Sequence, residues 1–218
     1  MNKGKYITVE GLDGAGKSTL IRRWIKGPFT DPALVTIVPS FAGTPECIRA
    51  REVADGEHGA VSDDERLDAY AKAAISVSQR IVKPALDAGI TVVRDRGIHS
   101  AFAYWVGGYR KKWEQVRESF LVPELLLGVP YPDLVINVEV GIGTSCSRQH
   151  NRPDHYTKSF VRRVWTAYRA MFDPDGRWAN VPCWLPKIPV TTVSNDSGSV
   201  QAAEQAFNTA VYNCRFRQ

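Results

Sequence analysis

The chain has 218 residues and a mass of 24.2 kDa, which fits one domain with a buried core. Its 44% hydrophobic and 23% charged residues are ordinary for a globular protein, and no apolar run approaches the roughly 18 residues of a membrane-spanning helix. A net charge of +5 and a pI near 9.1 help to hold phosphorylated ligands and could favour nucleic acid, the plainer reading being a solvated surface rich in arginine; basic residues group at 22–23, 110–112, 162–163 and 215 with 217.

The amino-terminal stretch MNKGKYITVEG runs straight into a strand pattern, and Cys47, Cys146, Cys183 and Cys214 form no CxxC pair. We therefore expect no signal peptide, four free thiols and a cytoplasmic protein, in a host cytoplasm if a phage encodes it.

In chain order, Lys5–Glu10 is rich in β-branched and aromatic residues and ends at a glycine, as a strand does. A loop, Gly11–Gly16, separates it from a helix over Lys17–Ile25 that Gly27-Pro28 stops. Leu34–Val38 reads as a second strand. Helical spacing returns over Asp63–Leu86, opened by Ser62 and three acidic residues, with Pro84 expected to bend or end it. Ile90–Val93 is a continuous apolar strand leading into Arg94-Asp95-Arg96.

Helices are expected around His99–Trp105 and Lys112–Phe120, a strand over Leu134–Val140, and helices over Ser145–His150 and Thr157–Met171. The stretch from Pro174 to Pro189 is rich in Pro, Gly and Trp and reads as loop, before a strand to Val193 and a helix over Val200–Tyr212. Short apolar strands alternating with helices imply an α/β fold with a parallel sheet flanked by helices, and 1–218 reads as a single domain. Ligands in such sheets bind beyond the carboxyl ends of the strands, where both Gly11 and Asp95 fall.

Gly11 to Ser18, GLDGAGKS, matches G-x-x-x-x-G-K-[ST] in full, with a strand before it and a helix after. Glycines let the backbone wrap so that successive N–H groups point at phosphate oxygens. Gly11, Gly14, Ala15, Gly16, Lys17, Ser18 and Thr19 are thus the expected ATP contacts. Lys17 brings charge to the β and γ phosphates, and the Ser18 hydroxyl is placed to ligate Mg²⁺. Asp13 is not needed to cradle phosphate and would repel it unless it faces another group: a sugar hydroxyl of an acceptor is one candidate, and an acidic residue pointing to solvent is the other reading. Asp95 is expected to organise the metal through water or to orient an acceptor oxygen, and Arg96 to clamp a phosphate with its fork of donors, the alternative being a strand-ending ion pair.

These segments resemble the thymidylate kinase family along essentially the whole chain. ITVEGLDGAGKSTL is similar to its first strand and phosphate loop, and PALDAGITVVRDRGIHSAFAY to its PALxxGxxVxxDRYxxSxxAYQ segment. PDLVINVEV, RPDHYTKSFVRRVWTAY and VSNDSGSVQAAEQAF resemble the fourth strand, the lid with its following helix, and the closing turn. The resemblance implies a P-loop NTPase fold, ATP with Mg²⁺, a nucleotide acceptor and a homodimer. It also implies catalytic roles for Lys17, Asp95 and Arg96, and acceptor binding by Asp13, Tyr70, Arg96, Ser100 and Tyr104. Because Ala15 stands where some members place an arginine, a lid over about 146–158 is expected to supply one, from Arg148 or Arg152.

The departures concern the acceptor. The family's REPGGT stretch is here Pro39–Thr44, and Ala74 replaces the arginine of its FxxxR base pocket. Gly97 replaces the tyrosine of DRY, and Trp105 the glutamine of AYQ. Polar readers discriminate bases more strongly than apolar fit does, so their loss opens the choice of acceptor. The expected function is ATP-dependent phosphoryl transfer to dTMP or a modified pyrimidine deoxynucleotide. The alternatives are a kinase acting on 5-hydroxymethyluracil in DNA, and a non-catalytic nucleotide-binding protein. His58, His99, His150 and His155 lack metal-ligand spacing and read as surface or pocket-lining residues. Trp165, Tyr168 and Phe172 recur at helical spacing and read as core.

Overall fold

A computed structural model describes residues 4–27, 35–38, 43–57, 59, 61–149, 156–172, 188–196 and 200–216. Five strands form one parallel sheet: β1 (Tyr6–Glu10), β2 (Val35–Val38), β3 (Thr91–Asp95), β4 (Leu134–Glu139) and β5 (Val190–Ser194). Their order is β2-β3-β1-β4-β5, with Val9 opposite Asp95 and Ile136. The chain leaves β1 towards β2 and leaves β3 towards β4 on the other side. The crevice between the carboxyl ends of β1 and β3 is therefore a topological switch point, where α/β folds bind ligands.

Strand alternation divides β1 between two cores. Ile7 and Val9 are fully buried on one face, against α1 (Lys17–Ile25), α9 (Lys158–Phe172) and α10 (Val200–Phe216) through Leu20, Trp24, Val164 and Phe207. Tyr6 faces the opposite side, where Cys47 and Ala50 of α2 (Pro45–Asp55) and Ala73 and Val77 of α3 (Asp63–Val77) pack. Helices thus cover both faces, which explains strands that read as apolar runs rather than alternating ones. Among the described residues no helix is long and apolar enough to cross a membrane. Cys47, Cys146 and Cys214 are free thiols, and Cys183 lies outside the described residues.

Among the described residues the expected strands and helices are present, with boundaries shifted by a few residues, whereas the loop expected over Pro174–Pro189 lies outside them as far as residue 187; two departures are instructive. Helix α2 was not expected, although Thr44 caps it by accepting from the Cys47 amide at 3.2 Å and Pro45 opens it. Nor does Pro84 end its helix. A π-helical turn, Ser78–Val82, in which the Lys83 amide reaches back to Ser78 O, is inserted before α4 (Lys83–Asp87). The wider turn makes room for the pyrrolidine ring and leaves no narrow i−4 carbonyl to clash with it. The same device recurs at Arg117–Leu121, between α6 (Trp113–Val116) and α7 (Val122–Leu126), ahead of Pro123. A third π segment, Phe102–Gly108, follows α5 (Ile98–Ala101) and carries Tyr104 and Trp105. Ser62 and Glu65 form the capping box expected at α3.

Candidate active site

The phosphate loop is shaped by backbone conformations that few residues adopt. Gly11 has φ 131°, and a Cβ there would lie 2.2 Å from Val138 O; Gly16 has φ 92°, and a Cβ would meet Asn195 Nδ2 at 2.4 Å. Gly16 caps α1 without a side chain, which leaves the amides of Lys17 and Ser18 uncapped at the wall of a cavity of about 750 Å³. Asp13, Gly14, Gly16, Lys17, Ser18 and Thr19 line that cavity, as do Tyr70, Asp95, Arg96, Ser100, Tyr104 and Arg148. Gly11 and Ala15, expected at the phosphates, do not: they sit behind its wall, packed by β4 and the core.

Lys17 is buried, and its Nζ donates to Gly11 O at 3.1 Å and Leu12 O at 2.8 Å. Burial, then the charge of Arg96, lowers its pKa to about 8 against the partial offset of Asp95 and Asp13. Ser18 Oγ donates to Asp95 Oδ2 at 2.6 Å, so the helix that follows the loop is tied to the end of β3. A hydroxyl and a carboxylate this close at the cavity wall are hard oxygen donors, and they fit Mg²⁺.

Arg96 stands at φ 71°, a left-handed conformation rare for a residue with a Cβ. Its guanidinium spans the site. Nη1 donates to Gly11 O, Ser100 Oγ and Tyr168 Oη at 3.1, 3.1 and 3.3 Å. Nη2 donates to Asp13 Oδ1 at 2.6 Å and Tyr104 Oη at 3.2 Å. Tyr104 in turn donates to Asp13 Oδ2 at 2.7 Å. Burial pushes the Asp13 carboxyl up, but Arg96, Lys17 and the Tyr104 hydroxyl more than compensate and hold its pKa at about 2.

Several members of this network escaped the sequence reading. Glu10, fully buried at the end of β1, accepts from the Gly97 amide at 2.8 Å and from Ser100 Oγ. Tyr168 is core, as its helical spacing indicated, yet its hydroxyl also bonds Ser100 Oγ at 2.6 Å. The signal was available, since a buried tyrosine hydroxyl needs a partner. Ser145 and Gln149 hold Asp13 O at 2.7 and 2.9 Å, and Asn195 Nδ2 donates to Ala15 O at 2.7 Å. His99 corrects an expectation: it is neither at the surface nor in the cavity wall but buried against Phe172, 3.9 Å from Glu10. Burial pushes its pKa below the ordinary histidine value.

Arg148, the last residue of α8 (Ile142–Arg148), reaches the loop: Nη1 donates to Gly14 O and Nη2 to Asn195 O, both at 3.2 Å. Arg152 lies outside the described residues, as do His58, His150, His155 and the middle of the expected lid, residues 150–155. Arg51 lines the cavity from α2, whereas Arg49 pairs with Glu52 at 3.8 Å.

The far end of the cavity is aromatic. Tyr70 meets Trp105 edge to face at 5.8 Å between ring centroids, Trp105 stacks on Tyr109 at 4.6 Å, and Tyr156 stacks on Phe160 at 4.3 Å. Gly97 is matched to its place, because a Cβ there would lie 2.8 Å from Thr8 Cγ2. The site thus has a glycine-loop end with Lys17 and Ser18, a charged centre at Asp13 and Arg96, and an aromatic end, an arrangement that suits a nucleotide.

Comparison with known proteins points to one family. The model of the family described as thymidylate kinase matches residues 9–182. The thymidylate kinase of Limosilactobacillus fermentum is 32% identical over 177 residues, which cover 76% of this chain and 80% of the relative. That of Chromobacterium violaceum is 34% identical over 179 residues, covering 77% and 80%. The crystal structure of thymidylate kinase from Ehrlichia chaffeensis shares the fold, with a TM-score of 0.69 at 17% identity over 96% of this chain and 98% of that one.

Proposed function

Because the chain belongs to the thymidylate kinase family, a family of phosphotransferases, we propose that it transfers the γ-phosphoryl group of ATP to the 5′-phosphate of dTMP. The bond between the γ phosphorus and the β,γ-bridging oxygen breaks. A new bond joins that phosphorus to an acceptor phosphate oxygen, giving ADP and dTDP. One observation carries the reading: the Asp13–Arg96 pair, 2.6 Å long, joins the phosphate loop to the end of β3 in the wall of a cavity that Tyr70 and Trp105 also line. A monophosphate whose base lies against Tyr70 would place its phosphate at that pair.

In this reading the amides of the loop and Lys17 hold the β and γ phosphates of ATP, and Arg148 offsets charge on the transferring group. Ser18 and Asp95 would hold Mg²⁺, which when bound neutralises phosphate charge. Arg96 holds the acceptor phosphate and Asp13 its sugar, while Ser100 and Tyr104 keep Arg96 in place. Tyr70 stacks on the base. The whole chain acts as one catalytic unit. It pairs as a homodimer, for which Leu125 and Leu126 on α7, 40% and 83% exposed, offer apolar surface. Light scattering on the purified protein tests the pairing.

Neither a modified pyrimidine nucleotide nor a base in DNA gains support from the fold or the relatives as an acceptor. Both belong in the deciding assay, which measures ADP formation with ribo- and deoxynucleoside monophosphates and label transfer to DNA containing 5-hydroxymethyluracil. Turnover with dTMP well above ATP hydrolysis is expected. No monophosphate-dependent turnover would overturn the proposal, and transfer to DNA alone would replace it.

A further inference from the structure

Two residues that supply polar contacts to the base in the resembling family are here Ala74 and Trp105, and both line the cavity without a polar reader's reach. Yet the aromatic end of the cavity is not without charge. Arg94 on β3 and Glu124 on α7 also line it, joined at 2.7 Å, with side chains only 7% and 10% exposed. Their place along the cavity follows from α3. Ser78 lies one turn beyond Ala74, its amide bonded to Ala74 O, and its hydroxyl donates to Glu124 Oε1 and accepts from Arg94 Nη1 at 3.2 Å. The small side chain at position 74 therefore leaves the cavity open as far as this pair.

A buried ion pair with a purely structural task would use its polar atoms on protein partners. Here the bonds are one-sided. All three hydrogen bonds of the Arg94 guanidinium leave from Nη1, to Glu124 Oε1, Ser78 Oγ and Tyr6 Oη. Glu124 accepts both of its bonds through Oε1. Among the described residues no partner takes the Nε–Nη2 edge of Arg94 or Oε2 of Glu124. A donor edge and an acceptor oxygen thus remain on two joined residues of the cavity wall that Ala74 and Trp105 also line, and a hydrogen bond from such groups discriminates strongly.

We propose that Arg94 and Glu124 read the base of the acceptor nucleotide, standing in for the polar side chains absent at Ala74 and Trp105. Resting on the dTMP reading above, the Nε–Nη2 edge donates to thymine O4 and Glu124 Oε2 accepts from N3–H. Cytosine presents the reverse pattern at those two positions, an amino donor and a ring acceptor, and leaves both protein groups mismatched. Selection then comes from β3 and α7 rather than from α3.

The test compares equilibrium binding of dTMP, dUMP, dCMP and dGMP, together with kcat/KM for each, in the wild type and two variants. Arg94→Met with Glu124→Leu replaces the pair by apolar groups of similar volume, a change that cores tolerate better than the loss of one partner. Glu124→Gln preserves volume and alters one reader. ATP-dependent thermal stabilisation checks that each variant is folded. The expected result is a preference for dTMP over dCMP reduced by about 10- to 100-fold in the double variant, expressed mainly in Kd and KM, and a smaller reduction in Glu124→Gln. An unchanged preference in the folded double variant overturns the proposal. A wild type that prefers another base overturns the dTMP reading instead, and the pair is then judged by whether that preference is lost.

Discussion

Arg96 Nη2 and Asp13 Oδ1 lie 2.6 Å apart and tie the end of β3 to the middle of the phosphate loop. The pair joins two segments separated by a full crossover of the chain, and Arg96 adopts a positive φ to make it. Its stability has a pH signature. Against burial, which raises it, the Asp13 pKa is held at about 2 in the folded protein, below the 3.8 of an ordinary aspartate, by Arg96, Lys17 and the Tyr104 hydroxyl. A lowered carboxylate pKa contributes stability above the unfolded value and loses it as pH falls through the folded one. Asp13→Asn should therefore cost about 2 kcal/mol at pH 5. That difference should shrink between pH 4 and pH 2, as read by urea unfolding at a series of pH values.

Arg96→Lys should be far from conservative. One ammonium cannot reach Gly11 O, Ser100, Tyr168, Asp13 and Tyr104 together, nor adopt their planar arrangement. A fall in kcat/KM for the monophosphate of about 100-fold or more is expected, equivalent to about 3 kcal/mol of transition-state binding. Steady-state kinetics with each substrate varied separates this from an effect on ATP.

Lys17 predicts an alkaline limb. With a pKa of about 8 in the free protein, its charge is lost as pH rises through that value. Because kcat/KM reports the free enzyme, kcat/KM for ATP should fall above about pH 8. A bound triphosphate stabilises the charged form, so kcat at saturating ATP should hold to higher pH. Lys17→Ala should abolish transfer while leaving the circular dichroism spectrum unchanged.

Tyr168→Phe keeps the ring in the core and deletes the hydroxyl that bonds Ser100 and Arg96. A stability loss of about 1 kcal/mol is expected, with a loss of activity smaller than that of Arg96→Lys. Thermal unfolding and kinetics on the same preparation measure both.

Gly97→Ala should be costly for a reason unrelated to φ. Its Cβ would press on Thr8 Cγ2 at 2.8 Å and crowd the Glu10 carboxylate at 3.2 Å, both on the rigid central strand. Destabilisation of about 1–3 kcal/mol is expected, measured by chemical denaturation.

What the amino-acid sequence determined by itself is the phosphate end of this protein. GLDGAGKS between an apolar strand and an amphipathic helix specifies a loop by local spacing alone, because its glycines, lysine and serine act within eight consecutive residues. The alternation of short apolar strands and helices likewise determined a parallel α/β sheet, since periodicity reports which faces are buried. Tertiary structure decided the sheet order, which sets β3 beside β1 and so brings Asp95 to Ser18 and Arg96 to Asp13. It also decided the acceptor end, where Tyr70, Arg94, Trp105, Glu124 and Tyr156 converge from separate elements. No local pattern marks such residues. A tyrosine at helical spacing reads as core whether or not its hydroxyl enters a network, and a strand arginine acquires a partner only when a helix thirty residues later packs against it.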